Sequence, residues 1–326
     1  MPIPDVVTVG EAMALLMARA PGPLAQVRQF ERASAGAELN VAIGLSRLGF
    51  KVAYLSRLGD DSLGRNLLDI MAAEGIDARH VRIDARYPTG FMLKSMADDG
   101  SDPQVEYFRR GSAASQLSPD DLPDDQFAQA RLLHLTGISP ALSDSCRELV
   151  FALATQARAA GRTVTFDPNL RPRLWPSQAA MIDTVNALAS LADVVMPGLA
   201  EGRLLTGCDD AAGIADFYLN LGARQVLVKL GPEGAYFASA EQRGTAQAMA
   251  VAEVVDTVGA GDGFAAGVIS ALLEGLPLRA AAARGNAIGA RVVQFRGDCE
   301  GLPNRSELAE ALSARAPQHA SAGHDR

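Results

Sequence analysis

The sequence predicts an α/β fold with three layers, α-β-α, in which a mainly parallel, doubly wound sheet is accompanied by a small extra sheet. Short apolar runs of strand length alternate with helical segments along nearly the whole chain. This alternation is typical of a parallel sheet covered by helices on both faces. It breaks once, at residues 87–112. The 326 residues, 48% of them hydrophobic, are enough for one large α/β domain or two small ones.

Each element is predicted from its apolar pattern and from the residues that bound it. Strands are predicted at residues 6–9, 51–56, 132–137, 163–167 and 193–196, and a strand, glycine turn and strand at 225–236. Helices are predicted at 39–48, 143–160 and 278–291, and another runs to Glu74. The first two are closed by glycines, Gly49 and Gly161. Residues 18–33 lack a helical period and predict an irregular or edge-strand segment.

The break at residues 87–112 has the pattern of a hairpin. Residues 91–96 and 104–109 read as two strands, and residues 98–103, with Asp, Gly and Pro, read as the turn between them. A period of two residues places Val105, Tyr107 and Arg109 on one face of the second strand. The alternative is an edge hairpin on which Arg109 is merely solvated, as most arginines are.

Composition excludes several classes of protein. A net charge of −8 argues against a nucleic-acid surface, which needs basic patches. The three cysteines lie far apart, so neither a zinc site nor a disulfide framework is indicated, and reduced thiols in a cytoplasmic protein are expected. No signal peptide and no apolar run of membrane-spanning length is seen. Residues 1–312 are expected to form the domain, and residues 313–326 a disordered tail.

The chemistry is concentrated in residues 254–267, which read as an apolar strand end, a glycine turn and a helix of small residues. Gly259 and Gly261 let the backbone approach a ligand closely, and the N-terminus of the following helix is suited to phosphate. A carboxylate at this place, Asp262, would repel phosphate, so its presence indicates a separate chemical function. The function that fits is to accept a proton from an attacking hydroxyl. The alternative is a carboxylate that only complements the helix dipole.

The run Asp-Thr-Val-Gly-Ala-Gly-Asp-Gly-Phe resembles the C-terminal signature of the ribokinase-like (PfkB) sugar kinases. Residues 59–64 resemble the N-terminal signature of the same family, and they lack the Lys-Ser/Thr ending of a P-loop. The resemblance covers roughly residues 5–312. It implies an ATP-dependent sugar kinase that uses ATP, Mg²⁺ and, in some members, a monovalent cation. It also implies a lid formed by about residues 11–34 and 87–112, which closes over the sugar and pairs to make a homo-oligomer.

The same resemblance assigns roles to individual residues. Asp262 is the implied catalytic base. The implied sugar-binding residues are Gly36, Asn40, Tyr107, Arg109, Asn169, Arg171, Asp262 and Asp298. The implied nucleotide-binding residues are Lys229, Gly231, Gly234, Gly259, Ala260, Gly261 and Asn286. Glu201 would act on magnesium through water, or else is a plain helix residue. Two positions depart from the family: Ala35 replaces a glycine, and Gly198 replaces an asparagine.

Two arginines indicate which sugar is the substrate. Arg109 and Arg171 lie in segments that resemble those of 2-keto-3-deoxygluconate kinases, and paired guanidinium groups suit a carboxylate better than a neutral sugar. The predicted reaction is phosphorylation of 2-keto-3-deoxygluconate at its terminal hydroxyl. Met92 stands where those kinases often carry a tyrosine, so fructokinase or another PfkB-type sugar kinase is the alternative. A catalytically inactive sugar-binding regulator is a third hypothesis, and the intact Asp262 and glycine turn argue against it.

Overall fold

The computed structural model describes residues 3–96, 103–122 and 129–313. The strands of these residues are β1 (Val6–Val9), β2 (Met13–Pro21), β3 (Phe30–Ala35), β4 (Val52–Gly59), β5 (Asp77–Asp84), β6 (Phe91–Met96), β7 (Val105–Phe108), β8 (Leu132–Thr136), β9 (Thr163–Asp167), β10 (Val194–Val195), β11 (Gln225–Lys229), β12 (Ala235–Ser239) and β13 (Arg243–Ala246). The helices are α1 (Ala37–Arg47), α2 (Ser62–Ala73), α3 (Ser139–Leu142), α4 (Asp144–Ala159), α5 (Gln178–Ala189), α6 (Leu199–Thr206), α7 (Ala211–Leu221), α8 (Ala260–Leu273), α9 (Leu278–Val292) and α10 (Arg305–Ser313).

The large sheet has nine strands in the order β13-β12-β11-β10-β9-β8-β1-β4-β5. The seven strands from β11 to β5 are parallel, and β12 and β13 continue the sheet antiparallel at one edge. Helices cover both faces, and each face has its own apolar core. Double coverage explains why the central strands are almost wholly apolar rather than alternating. The predicted three-layer fold is therefore confirmed.

A second sheet of four strands lies beside the first, in the order β3-β2-β6-β7. The predicted hairpin supplies β6 and β7. The segment predicted as irregular or edge strand, residues 18–33, contains most of β3 but only the end of β2, so the first part of β2 was not predicted. A small core of Met13, Leu15, Met17, Ala35 and Met92 holds this lid sheet together. The predicted small second sheet is thus present. Most of the predicted turn, residues 98–102, and most of the predicted tail, residues 314–326, lie outside the described residues.

One predicted strand end is wrong. Val254 and Val255 form no strand; their side chains are exposed, and the amide of Val255 donates to the carbonyl of Val293 instead of to a strand. The edge strand β5 was missed, because its residues are half-buried and polar and lack an apolar pattern. In the part of the chain that the structure describes, no helix combines the length and apolarity needed to cross a bilayer.

Candidate active site

A cleft of about 280 Å³ lies between the large sheet and the lid sheet. It opens where the chain leaves the carboxyl ends of β1, β9 and β11, and the N-terminus of α8 and strands β6 and β7 close its other sides. Ligands of open parallel sheets bind at this edge. The predicted site residues that line the cleft are Gly36, Asn40, Tyr107, Arg109, Asn169, Arg171, Glu201, Lys229, Gly259, Gly261, Asp262 and Asp298.

The glycine turn leads into α8. Gly259 precedes the first residue of this helix and has a left-handed backbone, with φ of +84°. A Cβ at this position would overlap the carbonyl oxygen of Asp298, so a side chain is excluded both by conformation and by space. The turn therefore brings the first amides of α8, which have no partners within the helix, to the edge of the cleft.

Asp262 lies in the first turn of α8, and its carboxylate points at two other elements. Asn40 Nδ2 donates to one oxygen at 2.7 Å, and Asn169 Nδ2 donates to the other at 3.2 Å. Burial, reinforced by the negative charges of Asp167 and Asp298, raises the pKa of Asp262 to about 7, although Asn40 and Arg171 act in the opposite direction. A carboxylate that is held by side-chain amides and titrates near neutrality has the properties of a general base.

Arg109 is almost fully buried at the end of β7 and is not solvated. Its guanidinium makes an ion pair of 2.5 Å with Glu11, which follows β1, and it lies 5.8 Å from the ring centre of Tyr107. Ser112 also donates to Glu11. The charge of Arg109 is therefore already neutralised within the protein, a pairing that the sequence interpretation missed.

Arg171 is different, because no carboxylate of the described residues lies at ion-pair distance from it. Its Nη1 donates to the backbone carbonyls of Asn169 (3.3 Å) and Leu170 (2.9 Å), which fix the side chain against its own loop. Its positive charge acts on Asp262 across the cleft. Arg171 thus presents an unneutralised guanidinium to the cleft, whereas Arg109 does not.

Lys229 brings a second positive charge to the glycine turn. Its Nζ lies 2.6 Å from Asp167 Oδ2, and a Cβ on Gly261 would lie 3.5 Å from Nζ. Burial would lower the pKa of Lys229, but the carboxylates of Asp167 and Glu201 outweigh it, so the pKa is raised and the side chain is an ammonium. This ammonium stands next to the helix N-terminus where an anion is favoured.

Glu201 lines the cleft, but both of its oxygens already accept hydrogen bonds. Oε1 accepts from the amide of Leu170 and Oε2 from the amide of Gly198, each at 2.7 Å. These bonds join the loop after β9 to the start of α6. Among the described residues no group of three or more His, Cys, Asp or Glu could hold a metal ion. The magnesium role of Glu201 therefore stays a prediction that a water would have to mediate.

The predicted nucleotide residues Gly231, Gly234, Ala260 and Asn286 do not line this cleft. Asn286 donates to the carbonyls of Ala246 and Gln247 at 2.8 and 3.1 Å and so ties α9 to the end of β13. A Cβ on Gly234 would overlap the Ala246 carbonyl. These contacts give both residues a structural role, and their contacts with a nucleotide remain predictions.

Three charged residues of the site were missed. Glu11 and Glu38 line the cleft, and Lys94 pairs with Asp298 at its edge. Thr136 and Ser139 donate to Glu38, and burial raises its pKa. The signal for Glu11 was its place directly after the first strand, at the edge where the cleft lies. The signal for Lys94 was a lone charge within an apolar strand.

The geometry thus combines a buried carboxylate with a raised pKa, the N-terminus of α8, and a cleft between the two sheets. The model of the pfkB family carbohydrate kinases matches residues 4–305. The chain belongs to the PfkB family of carbohydrate kinases. The kinase is 50% identical to the 2-dehydro-3-deoxygluconokinase of Bacillus subtilis (strain 168) over 98% of each chain, and 36% identical to that of Thermoproteus tenax over 95% of this chain and 94% of the relative.

Other relatives and solved structures include fructokinases. It is 30% identical to fructokinase-2 of Solanum lycopersicum, over 95% of this chain and 97% of the relative. Among solved structures, a PfkB protein from Polaromonas sp. JS666 is 52% identical, with a TM-score of 0.87 over 94% of this chain and 99% of that one. The fructokinase of Vibrio cholerae O395, solved with fructose, ADP and calcium ion, is 27% identical, with a TM-score of 0.84 over 95% of this chain and 100% of that one.

Proposed function

We propose that this kinase transfers the γ-phosphoryl group of ATP to the terminal hydroxyl of 2-keto-3-deoxygluconate, giving 2-keto-3-deoxy-6-phosphogluconate. The observation that carries the proposal is the unneutralised guanidinium of Arg171 in a cleft that also holds the buried base Asp262. In this arrangement the carboxylate of the sugar acid contacts Arg171, and its terminal hydroxyl contacts Asp262. The identity of 50% to the Bacillus subtilis 2-dehydro-3-deoxygluconokinase supports the same substrate.

The cleft residues divide the chemistry among them. Asp262 accepts the proton of the sugar hydroxyl, while Asn40 and Asn169 hold its two oxygens in place. The amides of the glycine turn face the charge that spreads over the transferred phosphoryl group, where positioned donors contribute most. Lys229 lies beside this turn, but its ammonium is paired with Asp167, as Arg109 is with Glu11, so its contact with the nucleotide stays a prediction. Magnesium, brought by ATP and held by phosphate and water, supplies further charge neutralisation when bound.

The two arginines have separate tasks in this proposal. Arg109 is neutralised by Glu11, so it shapes and orders the wall of the cleft under the lid. Arg171 carries the charge that recognises the acid. In this proposal Arg171 alone binds the carboxylate, whereas from the sequence both Arg109 and Arg171 were expected to bind it.

The test is a coupled assay of ADP release across a sugar panel, on the parent, Arg171→Leu and Arg173→Leu. Arg173 lies in the same loop but is exposed, so it is the matched control. A charged hydrogen bond contributes about 1.5–3 kcal/mol, so Arg171→Leu should raise the KM for 2-keto-3-deoxygluconate roughly tenfold to 150-fold. The KM for fructose should change less than about threefold. Equal losses on both sugars would refute the carboxylate contact.

Fructokinase is the second candidate. It is favoured by Met92, which is buried and lines the cleft where, by resemblance, 2-keto-3-deoxygluconate kinases often carry a tyrosine. A parent that prefers fructose in the same panel would establish it. Absence of turnover on every sugar would instead support a sugar-binding regulator.

The lid also offers a surface for association. Tyr107 and Phe108 are nearly half exposed on β7, and the ring of Phe108 stacks on Phe91 at 4.6 Å. Exposed aromatic residues are typical of protein interfaces. We therefore propose that two copies pair through their lids. Light scattering on the parent and on Phe108→Ser tests this pairing, which a monomeric parent would exclude. The monovalent cation and the cytoplasmic location stay predictions.

A further inference from the structure

Lys94 is a buried cation that neither the proposed proton transfer to Asp262 nor the proposed carboxylate contact of Arg171 uses. It lies in β6 of the lid sheet, and 2% of its surface is exposed. Its Nζ lies 2.5 Å from Asp256 Oδ2 and 3.0 Å from Asp298 Oδ1. The described residues offer these two carboxylates no other cation at ion-pair distance.

Both carboxylates belong to the segments that shape the glycine turn. Asp256 Oδ1 accepts from the amide of Val258 at 3.1 Å, and Oδ2 accepts from the amide of Gly297 at 3.3 Å. The backbone carbonyl of Asp298 packs directly against Gly259. The ammonium group of Lys94, on the lid sheet, therefore bonds to two segments that pack around the glycine turn.

The charges explain why this contact is needed. Asp256, Asp298 and Asp262 are all buried near the site that would receive a triphosphate. Buried carboxylates are tolerated only when they are paired and hydrogen-bonded. Lysine suits this position because its compact ammonium has three donors that can reach two carboxylates at once.

We propose that Lys94 is a positioning residue that couples the lid sheet to the glycine turn, so that seating of the lid on the sugar orders the turn for the phosphoryl group. The proposal rests on the proposed function, because it takes the sugar to bind under the lid. It adds a link between the two halves of the cleft, which come from parts of the chain more than 150 residues apart.

Hydrogen–deuterium exchange tests the link without turnover. The parent, Lys94→Met and the control Lys51→Met, an exposed lysine, are compared with and without 2-keto-3-deoxygluconate, in the absence of ATP. In the parent and control, sugar should slow exchange in residues 255–261 about tenfold. In Lys94→Met, sugar should still slow exchange in β6. Exchange in residues 255–261 of this variant should slow less than about twofold. An equal response of the turn in all three proteins would overturn the proposal.

Kinetics give a second readout. Lys94→Met should lower kcat at least about 30-fold and change the KM for sugar much less; a kcat within about threefold of the parent contradicts the coupling. If Lys94→Met fails to fold, Lys94→Met/Asp256→Asn lowers the charge imbalance and takes its place. This double variant should fold but stay slow, and full recovery of kcat would reduce Lys94 to a neutralising charge. If the parent uses fructose instead, the substrate proposal fails, and the exchange comparison is made with fructose.

Discussion

Substitution of Asp262 by asparagine separates the chemical role of this carboxylate from its effect on stability. Burial raises the pKa of Asp262 to about 7 in the folded protein. An aspartate in an unfolded chain has a pKa near 3.9. At about 1.4 kcal/mol per pKa unit, ionised Asp262 therefore destabilises the fold by up to about 4 kcal/mol at pH 8.

The sign follows from proton binding. Between about pH 4 and pH 7 the folded protein keeps a proton on Asp262 that the unfolded chain has released, so the free energy of unfolding falls as pH rises through this range. Above pH 7 both states are ionised and the penalty is constant. Asparagine carries no charge at any pH. Asn40 can turn its amide to accept from the new side chain, since its Oδ1 has no partner among the described residues.

We expect Asp262→Asn to increase the free energy of unfolding by up to about 4 kcal/mol at pH 8 and by less than half as much at pH 5. Turnover should fall about 10²–10⁴-fold, as for loss of a general base. Urea titrations at both pH values and the ADP assay measure the two effects, with Asp183→Asn, an exposed carboxylate of α5, as control. A change in stability that is equal at both pH values, or turnover within about threefold of the parent, would refute the reasoning.

Three more predictions follow from the same contacts. The value of kcat/KM should fall about tenfold per pH unit below about pH 7, as Asp262 takes up a proton, in rates measured from pH 5.5 to 9. Arg109→Leu should destabilise the protein by about 3–5 kcal/mol in urea titrations, because it leaves Glu11 buried and unpaired, and Glu11→Gln in the same chain should recover part of the loss. Gly259→Ala should abolish most turnover in the ADP assay, because its Cβ overlaps the Asp298 carbonyl; activity near that of the parent would mean that the turn can shift.

The sequence predicted the large sheet well because parallel strands covered on both faces produce long apolar runs, and such runs are visible without any knowledge of partners. The glycine turn was predictable because it too is formed by residues that are close together in the chain. Gly259 and Asp262 lie three residues apart, so their geometry depends on the local chain. Asn40 and Asn169 were placed by resemblance, and both contact Asp262 in the structure.

The pairings between distant residues were not predictable. Arg109 and Glu11 are 98 residues apart, and Lys94 and Asp298 are 204 apart. Which carboxylate an arginine or lysine meets depends on how the lid sheet packs on the large sheet, and a pattern read along one strand has no information on that packing. For this reason Arg109 was expected to be free for a ligand.

The distribution of amino groups has a practical consequence. The chain has three lysines, and Lys94 and Lys229 are enclosed at the cleft. Lys51 is exposed and immediately precedes β4, so it lies at the amino ends of the parallel strands, on the opposite edge of the sheet from the cleft. Of the three lysines, Lys51 would therefore be the one that amine-reactive reagents reach. A resin coupled through Lys51 would hold the enzyme with the cleft directed away from the support, and peptide mapping of the acylated protein would verify the attachment point.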